Sequence, residues 1–322
     1  MVYKISELPD IQNQLSLIPI KIDKVGINNV RTRVKIRYDH KDYEFTPLIS
    51  AVVELPNNLR GTHMSRNSET IEEVIDEISH KPARRIEDIT KNMAFRLLEK
   101  HEYTSKVEVL LDGILVIDVF QEGKGKVQKS LEIHIKTEGF KDVENENNKI
   151  IRQYLTVSII GMSACPCGQE LSRDYARSIL ESRKNEFHID DKIINDILNL
   201  VPMATHSQRC IGTITIEIPS NFDIELLDLI KIIEQSMSGI TYNILKRTDE
   251  GKLIRYSHLN TRFVEDCIRI MALNLLKKYI NLPDNTTVNF KVESQESIHP
   301  HNAIAEIHST IGNLRYAFKN KV

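Results

Sequence analysis

The chain has 322 residues, 41% hydrophobic and 27% charged, the composition of a globular protein with a sizeable core. With 43 basic against 45 acidic residues the net charge is −2, which excludes a general electrostatic pull toward nucleic acid or anionic membrane. No stretch approaches the roughly 18 consecutive apolar residues of a membrane span. The opening segment Met1–Asp10 lacks the apolar region of a signal peptide, so a cytoplasmic protein is expected. The four cysteines, Cys165, Cys167, Cys210 and Cys267, then argue against a disulfide framework.

In chain order, strict alternation from Asn29 to Tyr38 predicts a half-buried strand, and a second fits Tyr43 to Leu55. Ile71, Val74, Ile75 and Ile78 have helical spacing, with Asn67 or Ser68 as N-caps and Pro82 as the breaker. Ile86, Ile89, Met93 and Leu97 mark a second helix, and strands at Val107–Val119 and Leu131–Ile135 follow, joined across Gly123–Gly125. The polar run Asp142–Asn148 is the expected boundary between residues 1–145 and 146–322. Beyond it, strands are predicted at Ile150–Ile160 and Gly212–Ile218, helices at Phe222–Met237 and Arg262–Ile280, and strands at Thr286–Val292 and Ala303–His308. Each half thus reads as two strands, two helices and two strands, an α+β arrangement with an antiparallel sheet and helices on one face. One piece breaks the symmetry: a helical insertion at about 168–204, with helices at Gln169–Lys184 and Asp190–Leu200.

Candidate chemistry clusters in the second half. Cys165-Pro-Cys167 ends a strand and opens a helix; a Cys-x-Cys pair binds a metal or simply packs, and the helix N-terminus favours a thiolate at Cys165. His206 begins the next strand beside Gln208 and Arg209, where it is a ligand or an ordinary polar side chain. Glu296, His299 and His301 lie within one inter-strand connection and suit metal ligation or acid–base work, against the plainer reading of a polar turn. Lys246, Arg247 and Glu250 offer cations for phosphate and a carboxylate for metal, or form a charged loop; Glu265 sits on a helix face where a solvated charge is normal. In the first half, Arg60, His63 and Arg66 at a strand-to-helix junction form a phosphate cradle or a simple helix-capping loop. No glycine-rich nucleotide loop, HExxH or nucleophile elbow is present.

Six segments, Arg60-Gly-Thr-His-Met-Ser-Arg66, Cys165-Pro-Cys167, His206-Ser-Gln-Arg209, Lys246-Arg-Thr-Asp-Glu250, Phe263-Val-Glu-Asp266 and Glu296-Ser-Ile-His-Pro-His301, occur in an order that resembles the type IB GTP cyclohydrolases and their archaeal ferrous relatives. The resemblance spans nearly the whole chain. It implies the tunnelling fold (T-fold), with two ββααββ modules per chain and a barrel closed by a homodimer or higher homo-oligomer with interfacial active sites. It implies Cys165, His206, Glu250 and His299 as metal ligands, with Glu296 near enough to reach the metal or its water. Cys167 and His301 become catalytic neighbours, and Glu265 the carboxylate that anchors the guanine edge of GTP. Arg60, Arg66, Arg209, Lys246 and Arg247 are the candidates for the triphosphate, and His301, Glu296 and His63 for proton transfer.

The donor set accommodates Fe(2+), Mn(2+) or Zn(2+), and the family branch implies Fe(2+), one per subunit. The insertion after Cys167 resembles the archaeal branch. It implies 7,8-dihydroneopterin 2',3'-cyclic phosphate, on the route to methanopterin, rather than the bacterial product dihydroneopterin triphosphate. A non-catalytic zinc-binding scaffold, or another T-fold enzyme acting on a purine or pterin, are the rival readings. Neither nucleic acid nor membrane is an expected partner.

Overall fold

Ile49, Ala51, Val53 and Leu55 alternate along β4 (Leu48–Leu55), and all four are buried while their neighbours are half-exposed. That face recurs across the sheet: Ile49 stands opposite Leu111 of β5 (Lys106–Gln121), and Leu111 opposite Ile135 of β6 (Gly125–Lys141). The computed structural model describes residues 10–38, 41–121, 125–142 and 149–319. The chain folds as two units, Met1–Thr156 with Glu217–Ser220, and Val157–Ile216 with Asn221–Val322.

In the first unit β1 (Ile22–Arg31) pairs antiparallel with β4, β4 with β5 and β5 with β6. β2 (Val34–Tyr38) and β3 (Lys41–Phe45) form a separate hairpin. Two helices, α1 (Met64–His80) and α2 (Ile86–Lys100), pack on each other and on the strands, burying Ile71, Val74 and Ile78 from α1 and Ile89, Met93 and Leu97 from α2. The first half therefore starts with four strands where two are expected. The predicted strand from Asn29 to Tyr38 breaks at Thr32–Arg33, and the next breaks at Thr46–Pro47. Asn29 adopts φ 57° where the β1–β4 register slips between Ile27 and Val30, a bulge after which pairing resumes at Val30–Ile49. The expected caps are also displaced. α1 begins at Met64 with His63 as its N-cap, because the amide of Asn67 is committed to tertiary bonds, donating to Ala51 O at 2.8 Å. The predicted joins at Gly123–Gly125 and Asp142–Asn148 lie, for residues 123–124 and 143–148, outside the described residues.

β7 (Lys149–Ala164) runs from the first unit into the second. It is followed by α3 (Pro166–Ser182), the short α4 (Lys184–Phe187), α5 (Asp191–Leu200) and β8 (Ser207–Ile218). Then come α6 (Leu226–Ser236), β9 (Gly239–Ile240), α7 (Arg247–Leu259), α8 (Val264–Lys278), β10 (Thr287–Ser294), β11 (Ala303–Thr310) and α9 (Ile311–Phe318). Strand order is β7-β8-β10-β11, with β9 on β7. β8, β10 and β11 are antiparallel neighbours, placing Ile214 opposite Phe290 and Phe290 opposite Ile307. Leu229 and Ile233 of α6 and Met271 and Leu275 of α8 fill the core over Ile214 and Phe290. Gly212 permits that approach, since a Cβ there would lie within 2.8 Å of Met237, Ile233 and Met271 side-chain atoms.

The predicted insertion contains α3 and α5 as expected, held together by Arg173 donating to Leu198 O at 3.0 Å and by buried Ile194 and Leu198. Lys246–Glu250, weighed as a charged loop, instead opens α7, and the chain adds α9 after its last strand. Among the described residues no helix is long and apolar enough to cross a membrane.

Candidate functional site

The end of β7 and the start of β8 bring the first two candidate ligands side by side. Cys165 donates its main-chain N–H to the carbonyl of His206 at 3.1 Å, and Thr205 Oγ1 donates back to Cys165 O at 2.6 Å. Cys165 is the N-cap of α3: its half-buried Sγ accepts from Gly168 N at 3.4 Å, with Pro166 next in the position proline favours. A sulfur there faces the positive end of a 17-residue helix. Gly168 is required locally, because a Cβ would meet Thr205 Oγ1 at 2.8 Å and His206 Cδ2 at 3.4 Å. Cys167 is exposed in the first turn of α3.

His206 and Glu296 are linked through Gln208. The Nδ1 of His206 is 3.0 Å from Gln208 Oε1, and Gln208 Nε2 donates to Glu296 Oε1 at 3.1 Å. The direct His206 Nδ1 to Glu296 Oε2 distance is 3.8 Å, beyond a hydrogen bond. Glu296 is the second residue of the β10–β11 connection, whose entry is fixed by Gln295 N donating to Arg209 O at 2.9 Å. His299 and His301 follow, both exposed and stacked with centroids 5.0 Å apart and planes 10° from parallel.

The remaining predicted residues of this unit sit at helix starts. Lys246 caps α7, Arg247 is its first residue, and Glu250 shares the first turn with Asp249; all but Asp249 are exposed. Glu265 is exposed in the first turn of α8, beside Asp266, whose carboxylate accepts from Phe263 N at 3.2 Å. Carboxylates at helix N-termini complement the helix dipole, so both positions are locally stable whatever else they do. Cys165, His206, Glu250 and His299 are not gathered into one shell. Among the described residues, no three His, Cys, Asp or Glu side chains are placed to hold a metal ion together. The pairs Cys165–His206, His206–Glu296 and His299–His301 are brought together; Glu250 and Glu265 stand apart on their own helices.

In the other unit, Arg60 donates to Gln14 Oε1 at 2.9 Å and Arg66 to Lys100 O at 2.8 Å. The Nε2 of His63 is buried 3.7 Å from Asp10 Oδ1 and has no hydrogen-bond partner among the described residues. Beneath them Asn67 Oδ1 lies 3.0 Å from His101 Nε2, and His101 Nδ1 lies 2.8 Å from Tyr103 OH, which also bonds Thr62. Burial, followed by the charge of Arg66, lowers the pKa of His101 to about 4 and keeps it neutral.

In the sequence Gln208 stands out only as a neighbour of His206, and Gly168 has no assigned role. A glycine three positions after a cysteine at a predicted helix start is the signal for Gly168 that the sequence holds.

These features define a mixed α/β protein with an antiparallel sheet, in which Cys165 adjoins His206 and His206 is linked through Gln208 to Glu296. Residues 8–305 match the family model described as type I GTP cyclohydrolase folE2. The chain is 40% identical over 314 residues to GTP cyclohydrolase MptA of Methanosphaera stadtmanae, covering 97% of this chain and 98% of that protein. It is 37% identical to GTP cyclohydrolase MptA of Methanosarcina barkeri, with 96% of each chain covered. The chain belongs to the type I GTP cyclohydrolase folE2 family. Its fold is also similar to that of the uricase from Arthrobacter globiformis, with a TM-score of 0.50 and 6% identity over 89% of this chain and 93% of that one.

Proposed function

We propose that the chain is a GTP cyclohydrolase of the cytoplasm that opens the guanine imidazole ring at carbon 8 and releases formate. The observation that carries this reading is the pairing of Cys165 with His206, tied through Gln208 to Glu296, in a chain of this family. By donor type the set suits one divalent ion: a thiolate at Cys165 and the Nε2 of His206, which stand together, with the carboxylate of Glu250 and the imidazole of His299 closing on them when the ion binds. The family branch favours Fe(2+) over Mn(2+) or Zn(2+), with one ion per subunit. Such an ion supplies Lewis acidity that makes hydrolysis feasible near neutral pH.

The chain's own groups do the rest. Glu265 accepts two N–H bonds from the guanine edge, which gives its exposed helix-terminal charge a partner. Glu296 and His301 hold and move protons during ring opening and reclosure to the pterin, with Cys167 beside them and His63 a further candidate. Arg60, Arg66, Arg209, Lys246 and Arg247 bind the triphosphate.

Each of residues 1–145 and 146–322 forms one tunnelling-fold module, and a second subunit closes the barrel. In support, Cys167, His299, His301 and Glu265 are all exposed in the single chain, whereas this chemistry works best with the substrate shielded from bulk water. The helical insertion after Cys167 favours the archaeal product, 7,8-dihydroneopterin 2',3'-cyclic phosphate, on the route to methanopterin. The test is metal content beside turnover in Cys165→Ala and His206→Ala. Loss of both the ion and formate release supports the assignment, and full retention of either in both variants removes it.

A further inference from the structure

Gln208 lies at the start of β8, and its amide is held from several directions. Its Nε2 donates to Glu296 Oε1 at 3.1 Å and to Ser294 Oγ at 3.1 Å; its Oε1 accepts from Ser297 Oγ at 3.4 Å and faces His206 Nδ1 at 3.0 Å. Ser294 is fully buried at the end of β10, opposite Cys210 of β8, and its hydroxyl is 2.9 Å from that of Ser163 on β7.

The identities of these partners decide the protons. An ionised carboxylate only accepts, so the amide nitrogen must face Glu296 and the amide oxygen must face His206. An amide oxygen also only accepts, so the imidazole nitrogen opposite it must carry the hydrogen. Glu296 cannot impose this itself, because its nearer oxygen is 3.8 Å from His206 Nδ1.

We propose that Gln208 is a positioning residue that fixes His206 as the Nδ1–H tautomer, leaving the Nε2 lone pair as the coordinating face. The inference rests on the reading of His206 as a ligand for its purpose but not for its geometry. A neutral imidazole coordinates a metal through one nitrogen while a hydrogen bond at the other sets its tautomer and ring orientation. Here an amide plays that second part, and through its other end it holds Glu296 beside the same ring. Ser294, itself held by Ser163, ties the amide to the sheet, and Glu296 sets which end of it faces His206.

The test uses the metal-free full-length chain at a pH well above the ordinary imidazole range. The tautomer of His206 is read from its imidazole carbon and nitrogen NMR shifts, assigned by their loss in His206→Asn. The wild type is expected to show the Nδ1–H form. Gln208→Leu, similar in volume but without the acceptor, should shift His206 toward the Nε2–H form. Titration with zinc alone against a chelator should show affinity falling roughly 10- to 100-fold in Gln208→Leu at unchanged melting temperature.

A wild-type His206 protonated on Nε2 overturns the proposal without any variant having to fold. So does a tautomer that does not change in Gln208→Leu. If the tautomer follows Gln208 while zinc affinity is unchanged in both Gln208→Leu and His206→Asn, the positioning role stands and His206 leaves the ligand set.

Discussion

Cys165 and His206 are joined main chain to main chain, N–H to carbonyl at 3.1 Å, although the whole of α3, α4 and α5 lies between them in sequence. The pairing makes the insertion an excursion that leaves from and returns to one point. Helices can be added there without moving the two side chains at its base.

Gly168 is the tightest constraint on that point. A methyl group would lie 2.8 Å from Thr205 Oγ1, which is itself bonded to Cys165 O. Gly168→Ala must therefore displace the first turn of α3 or break that bond. The expected cost is about 1–3 kcal/mol of stability, read by denaturant titration, with weakened metal affinity read by chelator competition. A variant unchanged in both would show that the turn yields freely.

Cys165→Ala and His299→Ala should abolish formate release while leaving folding nearly intact. His299 is exposed, and surface substitutions usually change stability by about 0.5 kcal/mol or less. Anaerobic, iron-loaded assays beside thermal melts check this; wild-type turnover in either variant contradicts the ligand assignment.

Glu265→Ala separates substrate recognition from metal binding. Its place in the first turn of α8 predicts a loss of about 0.3–1 kcal/mol in helix stability. The main effect should be weaker GTP binding with metal content intact. Calorimetry with GTP and metal analysis of the same sample check both; a fall in metal content would show that Glu265 has been given the wrong task.

The buried His101 makes stability depend on pH. The fold lowers its pKa from 6.5 to about 4, first by burial and then by the positive charges of Arg66, His63, Lys141 and Lys100. Between those values the unfolded chain binds a proton that the folded chain does not, so stability falls as pH drops through the window. The full effect of this one group is roughly 3 kcal/mol. Melting temperature against pH should show the fall, and His101→Gln should flatten it; an equal slope in the variant would place the dependence elsewhere.

Helical periodicity made α1, α2, α6 and α8 legible because each buries a continuous stripe, such as Ile71, Val74 and Ile78. α7 is not legible in the sequence, because Ser257 is its one buried residue and no stripe announces it. The early strands were misjoined because alternation continues across Thr32–Arg33 and Thr46–Pro47, where the backbone leaves the sheet. In the site, Cys165, His206 and the Glu296–His301 run were visible as residue types at strand and helix ends. The link from His206 through Gln208 to Glu296 was not. It depends on β8 and β10 lying side by side, with Ser294 opposite Cys210.

Hydrolytic opening of the guanine ring by this chain is measured most directly by anaerobic incubation of the purified protein with GTP and ferrous iron, scoring formate and the mass of the pterin formed. One formate per GTP consumed and the mass of 7,8-dihydroneopterin 2',3'-cyclic phosphate are expected. The triphosphate mass would correct the branch alone, and GTP recovered intact with no formate, from protein that holds its metal, would contradict the account.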